Sequence, residues 1–241
     1  MTTKPLGYVL YYGPSRIDNG RIVAIATGYH KSRIQVFIMR SDIPPHEAVH
    51  TGQDASICGG CPGRGLDGLG RSCYVRVEQA PLSVWRAYHR GQYKLALPEE
   101  RAGIGRGRII RLGAYGDPCA VPMSVWSDFL SLAAGWTGYT HQWRNTRNQP
   151  YRHFLMASCE NYDHAQLAQA KGWRTFRVRC TGDAVLMPAE RQCPAVDGST
   201  TCAECRGCNG KAGAMGNRGY SIEVHGVAGK VKAFCRRNQL T

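Results

Sequence analysis

Eleven cysteines in a chain of 241 residues are the first candidates for chemistry. In the segment CPAVDGSTTCAECRGC, Cys202, Cys205 and Cys208 follow a C-x2-C-x2-C pattern, with Cys193 nine residues upstream and Pro194 directly after it. Thiolates two residues apart wrap a loop around three irons of one cubane, and a more distant cysteine commonly supplies the fourth ligand. Zinc ribbons instead separate two C-x2-C knuckles by a longer span, because one tetrahedral ion needs ligands from two directions. The spacing therefore predicts a [4Fe-4S] cluster on Cys193, Cys202, Cys205 and Cys208, with zinc as the alternative. Gly207, Gly210, Gly213 and Gly216 permit the tight backbone such a loop needs.

A second group, Cys58, Cys61 and Cys73, reads C-x2-C-x11-C inside the Gly-rich loop ICGGCPGRGLDGLGRSCYV. Three thiolates on a cubane leave one iron open to a substrate or a cofactor. Alternatively His30, His50, Cys119 or Cys159 closes the site, as in a Cys3His zinc centre. Cys119, Cys159, Cys180 and Cys235 are scattered and read as small buried hydrophobes. An odd cysteine count in a reducing compartment argues against a disulfide framework. His141 in TGYTHQW is either a proton donor aimed into the fold or a hydrogen-bonded core histidine, with Arg144 beside it as a grip for an anion. Gly103, Gly105 and Gly107 satisfy neither the dinucleotide nor the Walker A pattern.

The elements that must position these residues are legible in outline. LGYVLYY, GRIVAIATGY and RIQVFIMR read as opening strands separated by turn residues, and residues 44–73 as a loop. Pro81 to Arg90 fits a helix with Pro in its first turn. Beyond it, strands and helices alternate: a strand at 108–114, a helix at 122–134, a short strand at 138–143, a buried strand at 154–158, a helix at 161–172 and a strand at 175–179. Trp126, Trp136, Trp143 and Trp173 read mostly as core. Such alternation implies βαβ crossovers and a parallel sheet, hence an α/β partial barrel over residues 1–180. Residues 181–241 lose the periodicity and read as a cysteine-rich cluster-binding extension, closed by a strand at 220–225.

Arginine and lysine exceed acidic residues enough to give a net charge of +14, which attracts polyanions. Basic runs at 101–111, 144–152, 174–179 and 230–237 make nucleic acid the natural partner on charge grounds, through phosphate contacts. No run of eighteen apolar residues offers a membrane span. The start MTTKPLGYVLYYGPSRIDNG lacks the pattern of a secretion signal, so a cytoplasmic location is expected. Nothing in the sequence specifies an oligomeric state.

Three cysteines in a loop, then a helix, then a strand ending in Tyr115-Gly116-Asp117-Pro118, then an amphipathic helix, resemble the radical S-adenosylmethionine (radical SAM) superfamily. In that family a Gly-Gly-Glu-Pro-like turn after the second barrel strand binds the cofactor's methionine amino group. Here Tyr stands for the first Gly and Asp for Glu, and the cysteine spacing differs from the family's C-x3-C-x2-C. Tyr74 after Cys73 is similar to the aromatic that adjoins the last family cysteine. The resemblance covers roughly residues 50–180 and implies a barrel of radical SAM type, with Gly116 and Asp117 contacting S-adenosylmethionine and a trailing auxiliary cluster. CYV, RLGAYGDP, TGYTHQW and FLMAS also resemble a poorly characterised group of phage- and plasmid-encoded proteins, which for a phage protein implies the host cytoplasm. Two functions follow as expectations: a radical SAM-like iron-sulphur enzyme of unspecified substrate, or a nucleic-acid-binding protein with structural or redox-sensing clusters or zinc.

Overall fold

The computed structural model describes residues 5–28, 33–183, 190–196, 198–211 and 218–239. The architecture is mixed α/β, built on two sheets rich in parallel pairing. Two compact units divide the chain, one of Met1–Gly59 with Val75–Thr137, the other of Gly60–Tyr74 with Gly138–Thr241.

In the first unit, β1 (Gly7–Pro14), β2 (Arg21–Thr27) and β3 (Arg33–Arg40) form an antiparallel meander. To it are added in parallel β4 (Tyr93–Leu95) beside β1, and β5 (Ile109–Tyr115) then β6 (Gly135–Thr137) beyond β3. Ile22, Val23, Ala24, Ile25 and Ala26 are all fully buried, as expected of a continuous apolar run in a strand covered on both faces. The segment read as a loop holds two short helices, α1 (Pro45–His50) and α2 (Ala55–Cys58). Helix α3 (Ala80–His89) buries Pro81, Val84 and Ala87. α4 (Arg101–Gly105) precedes β5, and α5 (Met123–Leu130) buries Val125, Trp126, Phe129 and Leu130. Spacings of three and four put those four side chains on one face.

The second unit carries β7 (Tyr139–Thr140), β8 (Met156–Cys159), β9 (Thr175–Arg179), β10 (Glu190–Gln192) and β11 (Gly219–Glu223). Their order is β10-β11-β9-β8-β7, parallel at every pairing. Helix α6 (Tyr162–Ala170) is the crossover from β8 to β9; Asn161 caps it by accepting from the His164 N–H at 2.9 Å. A one-turn helix, α7 (Cys202–Cys205), and a terminal helix, α8 (Ala228–Gln239), complete the unit.

β9 has the predicted alternation, but its more buried face is the polar one: Thr175, Arg177 and Arg179 are buried, while Phe176 and Val178 are half-buried. Arg177 pairs with the buried Glu190 at 3.0 Å, and Arg179 reaches Glu223 at 2.8 Å and Gln192 at 2.9 Å. The pairing compensates the buried charges of Arg177 and Arg179.

Cys180 and Cys235 depart from their reading as unpaired hydrophobes. They form a disulfide with Cα atoms 5.7 Å apart, fastening α8 to the end of β9 across 55 residues of sequence. The basic run 230–237 is part of α8, where Ala233, Phe234 and Arg237 are buried. Trp126, Trp136, Trp143 and Trp173 are buried as expected.

Candidate functional site

The carboxy-terminal cysteines share one electrostatic neighbourhood in the second unit. The protonation of Cys193 responds to Cys202 and Cys205, and that of Cys208 to Cys193, Cys202 and Cys205. None of the four is in a disulfide. Cys208 is buried against Met156 and Tyr220, flanked by Tyr139 and Phe176. Burial pushes its thiol up to about 12, against the lowering effect of a hydrogen bond with the Tyr139 phenol. Burial likewise raises Cys193 and Tyr220, and Cys205 and Cys208 act on Tyr220 in the same direction.

Local rules explain the loop around these thiols. Thr201 and Glu204 form a capping box that starts α7, with the Thr201 N–H donating to Glu204 at 2.8 Å. Gly207 lies so close to the Tyr220 hydroxyl that any Cβ there would collide with it. The Gly138 N–H donates to the Cys208 carbonyl at 3.0 Å, and the Cys193 N–H to Ser221 at 2.8 Å, tying both ends to the sheet. Arg174, itself buried, donates to the carbonyls of Gly207 (2.9 Å), Lys211 (2.6 Å) and Arg218 (2.9 Å). One guanidinium thus satisfies three carbonyls.

The amino-terminal motif is distributed differently. Cys58 ends α2 in the first unit, whereas Cys61 and Cys73 belong to the second. The Cys73 N–H donates to the Gly63 carbonyl at 3.0 Å, and a Cβ on Gly63 would lie 3.3 Å from Cys61 Sγ and 3.6 Å from Cys73 Cα. The loop is clamped by α8: Arg237 pairs with Asp67 and donates to Ser72 (3.0 Å) and the Gly70 carbonyl (2.9 Å). The Arg237 hydrogen bond leads the effects that hold the Asp67 carboxyl at about 2.

His141 Nε2 lies 2.8 Å from Glu160 Oε1, and the Cys61 thiol acts on the imidazole electrostatically. Glu160 Oε2 is 3.0 Å from His164 Nδ1. Burial works to raise both the Glu160 carboxyl and, in the opposite sense, to neutralise His141. The pair overrides it: Glu160 sits at about 2 because two imidazoles face it, and His141 is well above its ordinary value because Cys61 and Glu160 do. His141 follows β7 directly and Glu160 follows β8, so both stand at the carboxyl edge of parallel strands, where α/β sheets bind ligands.

In the first unit, Gly116 and Asp117 follow β5. Gly116 has φ +79° and packs against the Ile38 carbonyl, a position only glycine fills. Asp117 is buried; its Oδ1 accepts from the Cys119 N–H at 2.9 Å and its own N–H donates to the Ile57 carbonyl at 2.6 Å, beside Cys58. Of the closing ligands considered, His50 is exposed at the end of α1, Cys119 and Cys159 are buried, and His30 lies outside the described residues, as do Gly213 and Gly216. Arg144 stacks over Trp143, 4.2 Å from the ring centroid.

The run 174–179 does not offer its arginines to a polyanion, because Arg174, Arg177 and Arg179 are buried and bonded within the fold. Arg101 pairs with Asp128 at 3.0 Å. Glu160, Tyr139 and Arg174 were not singled out by sequence. Glu160 carried one signal, a carboxylate directly after the buried run FLMASC. Among the described residues no group of three or more His, Cys, Asp or Glu is placed so that it could hold a metal ion, and no helix is long and apolar enough to cross a membrane. No family model matches the chain, and no curated protein and no solved structure is detectably similar to it.

Proposed function

We propose that this chain is an iron-sulphur protein in which Cys193, Cys202, Cys205 and Cys208 hold one [4Fe-4S] cluster, in a partial (β/α) barrel of radical SAM type. The observation that supports it best is the C-x2-C-x2-C spacing of Cys202, Cys205 and Cys208 with Cys193 upstream, four thiols that act on one another electrostatically. The donor set is all sulphur, and buried Met156 with half-buried Tyr139 and Phe176 supplies an apolar setting at Cys208 of the kind that tunes a cluster's potential. Such a cluster would supply one-electron chemistry.

Cys58, Cys61 and Cys73 are proposed to hold a second centre with three thiolates, leaving one metal position for another donor. Gly116 and Asp117 are the residues proposed to contact S-adenosylmethionine, a reading favoured by the placement of this turn at the carboxyl end of β5 and by its backbone bond beside Cys58. The reaction and substrate class are left unassigned.

Anaerobic reconstitution followed by iron, sulphide and zinc quantitation tests the reading. Equal iron and sulphide with brown charge-transfer absorbance, lost in part in Cys205→Ser, is expected. Colourless protein with stoichiometric zinc and no sulphide would overturn it.

A further inference from the structure

We propose that the disulfide between Cys180 and Cys235 is a redox switch: exchange with a dithiol opens it, and its opening releases α8 from the loop that carries Cys61 and Cys73. The inference draws on the iron-sulphur reading in one respect only, that thiolate ligands call for a reducing setting. The mechanical link from disulfide to loop stands without any metal.

That link runs through α8. Cys180 directly follows β9, the central strand of its sheet, and its N–H donates to Asp183 at 2.9 Å, so one end of the bridge is anchored in the sheet. The other end is less secure on its own. α8 has twelve residues and buries Ala233, Phe234 and Arg237 alone, and a helix of that length is marginal in water without tertiary support. Two residues beyond Cys235, Arg237 pairs with Asp67 and donates to Ser72 Oγ at 3.0 Å and to the Gly70 carbonyl at 2.9 Å. A Cβ on Gly70 would lie 3.9 Å from the Ala233 methyl, so helix and loop are in direct contact. The N–H groups of Ser72 and Cys73 both donate to the Gly63 carbonyl, which carries the restraint on to Cys61 and Cys73. The loop is thus fastened to α8, and α8 is fastened covalently to the sheet at one point.

The bridge is placed to be opened. Cys180 and Cys235 are half-buried rather than enclosed, and residues 181–183 beside Cys180 are exposed. The other nine cysteines are free thiols. A setting that keeps nine thiols reduced also supplies dithiols, and a disulfide exposed to them serves as a transient, sensing bond rather than a permanent staple. In the exchange, a thiolate of the dithiol attacks one sulphur of the bridge and displaces the other as a thiolate. The second thiol of the dithiol then resolves the mixed disulfide. The bond between Cys180 and Cys235 breaks, one forms within the dithiol, and the dithiol's two protons end on the freed cysteines. α8 is then held by two apolar side chains and the Arg237 network, and its fraying takes from Asp67, Gly70 and Ser72 the partner they share.

The test uses the full-length folded protein, treated anaerobically with dithiothreitol and then with glutathione disulfide. Alkylation and mass spectrometry should find Cys180 and Cys235 reduced without denaturant. Amide exchange across residues 60–74 should then rise at least tenfold while that of residues 202–208 holds, and glutathione disulfide should reverse both changes. Arg237→Gln with the disulfide intact should bring residues 60–74 to the exchange of the reduced parent and make reduction silent there, which keeps the question answerable if Cys180→Ser with Cys235→Ser fails to fold. A bridge that dithiothreitol opens only in denaturant, or one that opens in the folded chain with no change across residues 60–74, overturns the proposal. Failure to take up iron, with reversible opening intact, would sink the iron-sulphur reading and leave the switch standing.

Discussion

Cys208 is packed among Met156, Tyr220, Tyr139 and Phe176, whereas Cys61 acts electrostatically on an imidazole that pairs with a buried carboxylate. The carboxy-terminal thiols are held from the sheet side by backbone bonds and by Arg174. The amino-terminal loop is held by side-chain charge, through Asp67 and Arg237. An apolar, all-sulphur setting disfavours exchange of ligands and suits a resident electron-transfer centre. A setting with nitrogen and oxygen donors can move protons and change ligands. Tyr139 and His141, two residues apart, each touch one of the two settings, so the end of a single strand, β7, serves both.

The difference is broken most completely by Cys205→Ser, which should remove the iron and sulphide of one cluster while leaving metal at the amino-terminal thiols, read by metal analysis. Next comes the disulfide. In the chain-entropy account, closing a loop of 55 residues is worth about 4 kcal/mol. Cys180→Ser with Cys235→Ser should lower stability by up to about that amount in denaturant unfolding. Because α8 also carries Arg237, hydrogen exchange should rise across residues 60–74 and not across residues 202–208. Equal loss of protection in both would show that the two thiol regions are not held independently.

Arg174→Ala attacks the other side of the comparison. It strands three carbonyls of the cysteine loop, at a cost of about 3 kcal/mol, and should loosen the carboxy-terminal thiols first. Arg174→Lys should recover little, since an ammonium does not reproduce the fork of the guanidinium. A variant as stable as the parent would mean that water replaces the guanidinium.

The longer strands were legible because apolar runs and period-two alternation mark them, whereas β4, β6 and β10, three residues each, are too short to show a pattern; the Asn161 cap announced α6. β9 shows the limit of that logic: alternation fixes which residues share a face, but Arg177 and Glu190 are long enough to pair inside, so the polar face is the buried one. α8 was hidden because AGKVKAFCRRNQ buries little beyond Ala233, Phe234 and the stem of Arg237. A spacing of two residues already implies that Cys202, Cys205 and Cys208 are neighbours. No spacing signals that His141 meets Glu160, because their nearness depends on where β7 and β8 end. The disulfide was equally invisible, since its partners are 55 residues apart.

The smallest expected effect is a pH dependence confined to the amino-terminal loop. The Asp67 carboxyl lies at about 2 in the folded chain, below its ordinary value of 3.8, chiefly through its hydrogen bond to Arg237. A lowered folded value means that the ionised form is the one the fold favours. The stabilisation is therefore complete above the unfolded value near 4 and is lost as pH falls towards 2. With the Asp67 side chain 39% exposed, solvent screening holds the contribution to under about 1 kcal/mol. Between pH 5 and pH 2, hydrogen exchange corrected for intrinsic rate should increase at residues 67–73, and Asp67→Asn should flatten that increase. Cys208 packs against the apolar Met156, Tyr220, Tyr139 and Phe176, and its segment should respond less over the same interval. If residues 67–73 and the segment around Cys208 loosen together in both parent and Asp67→Asn protein, the acid response is global and the pair with Arg237 is not what distinguishes the two loops.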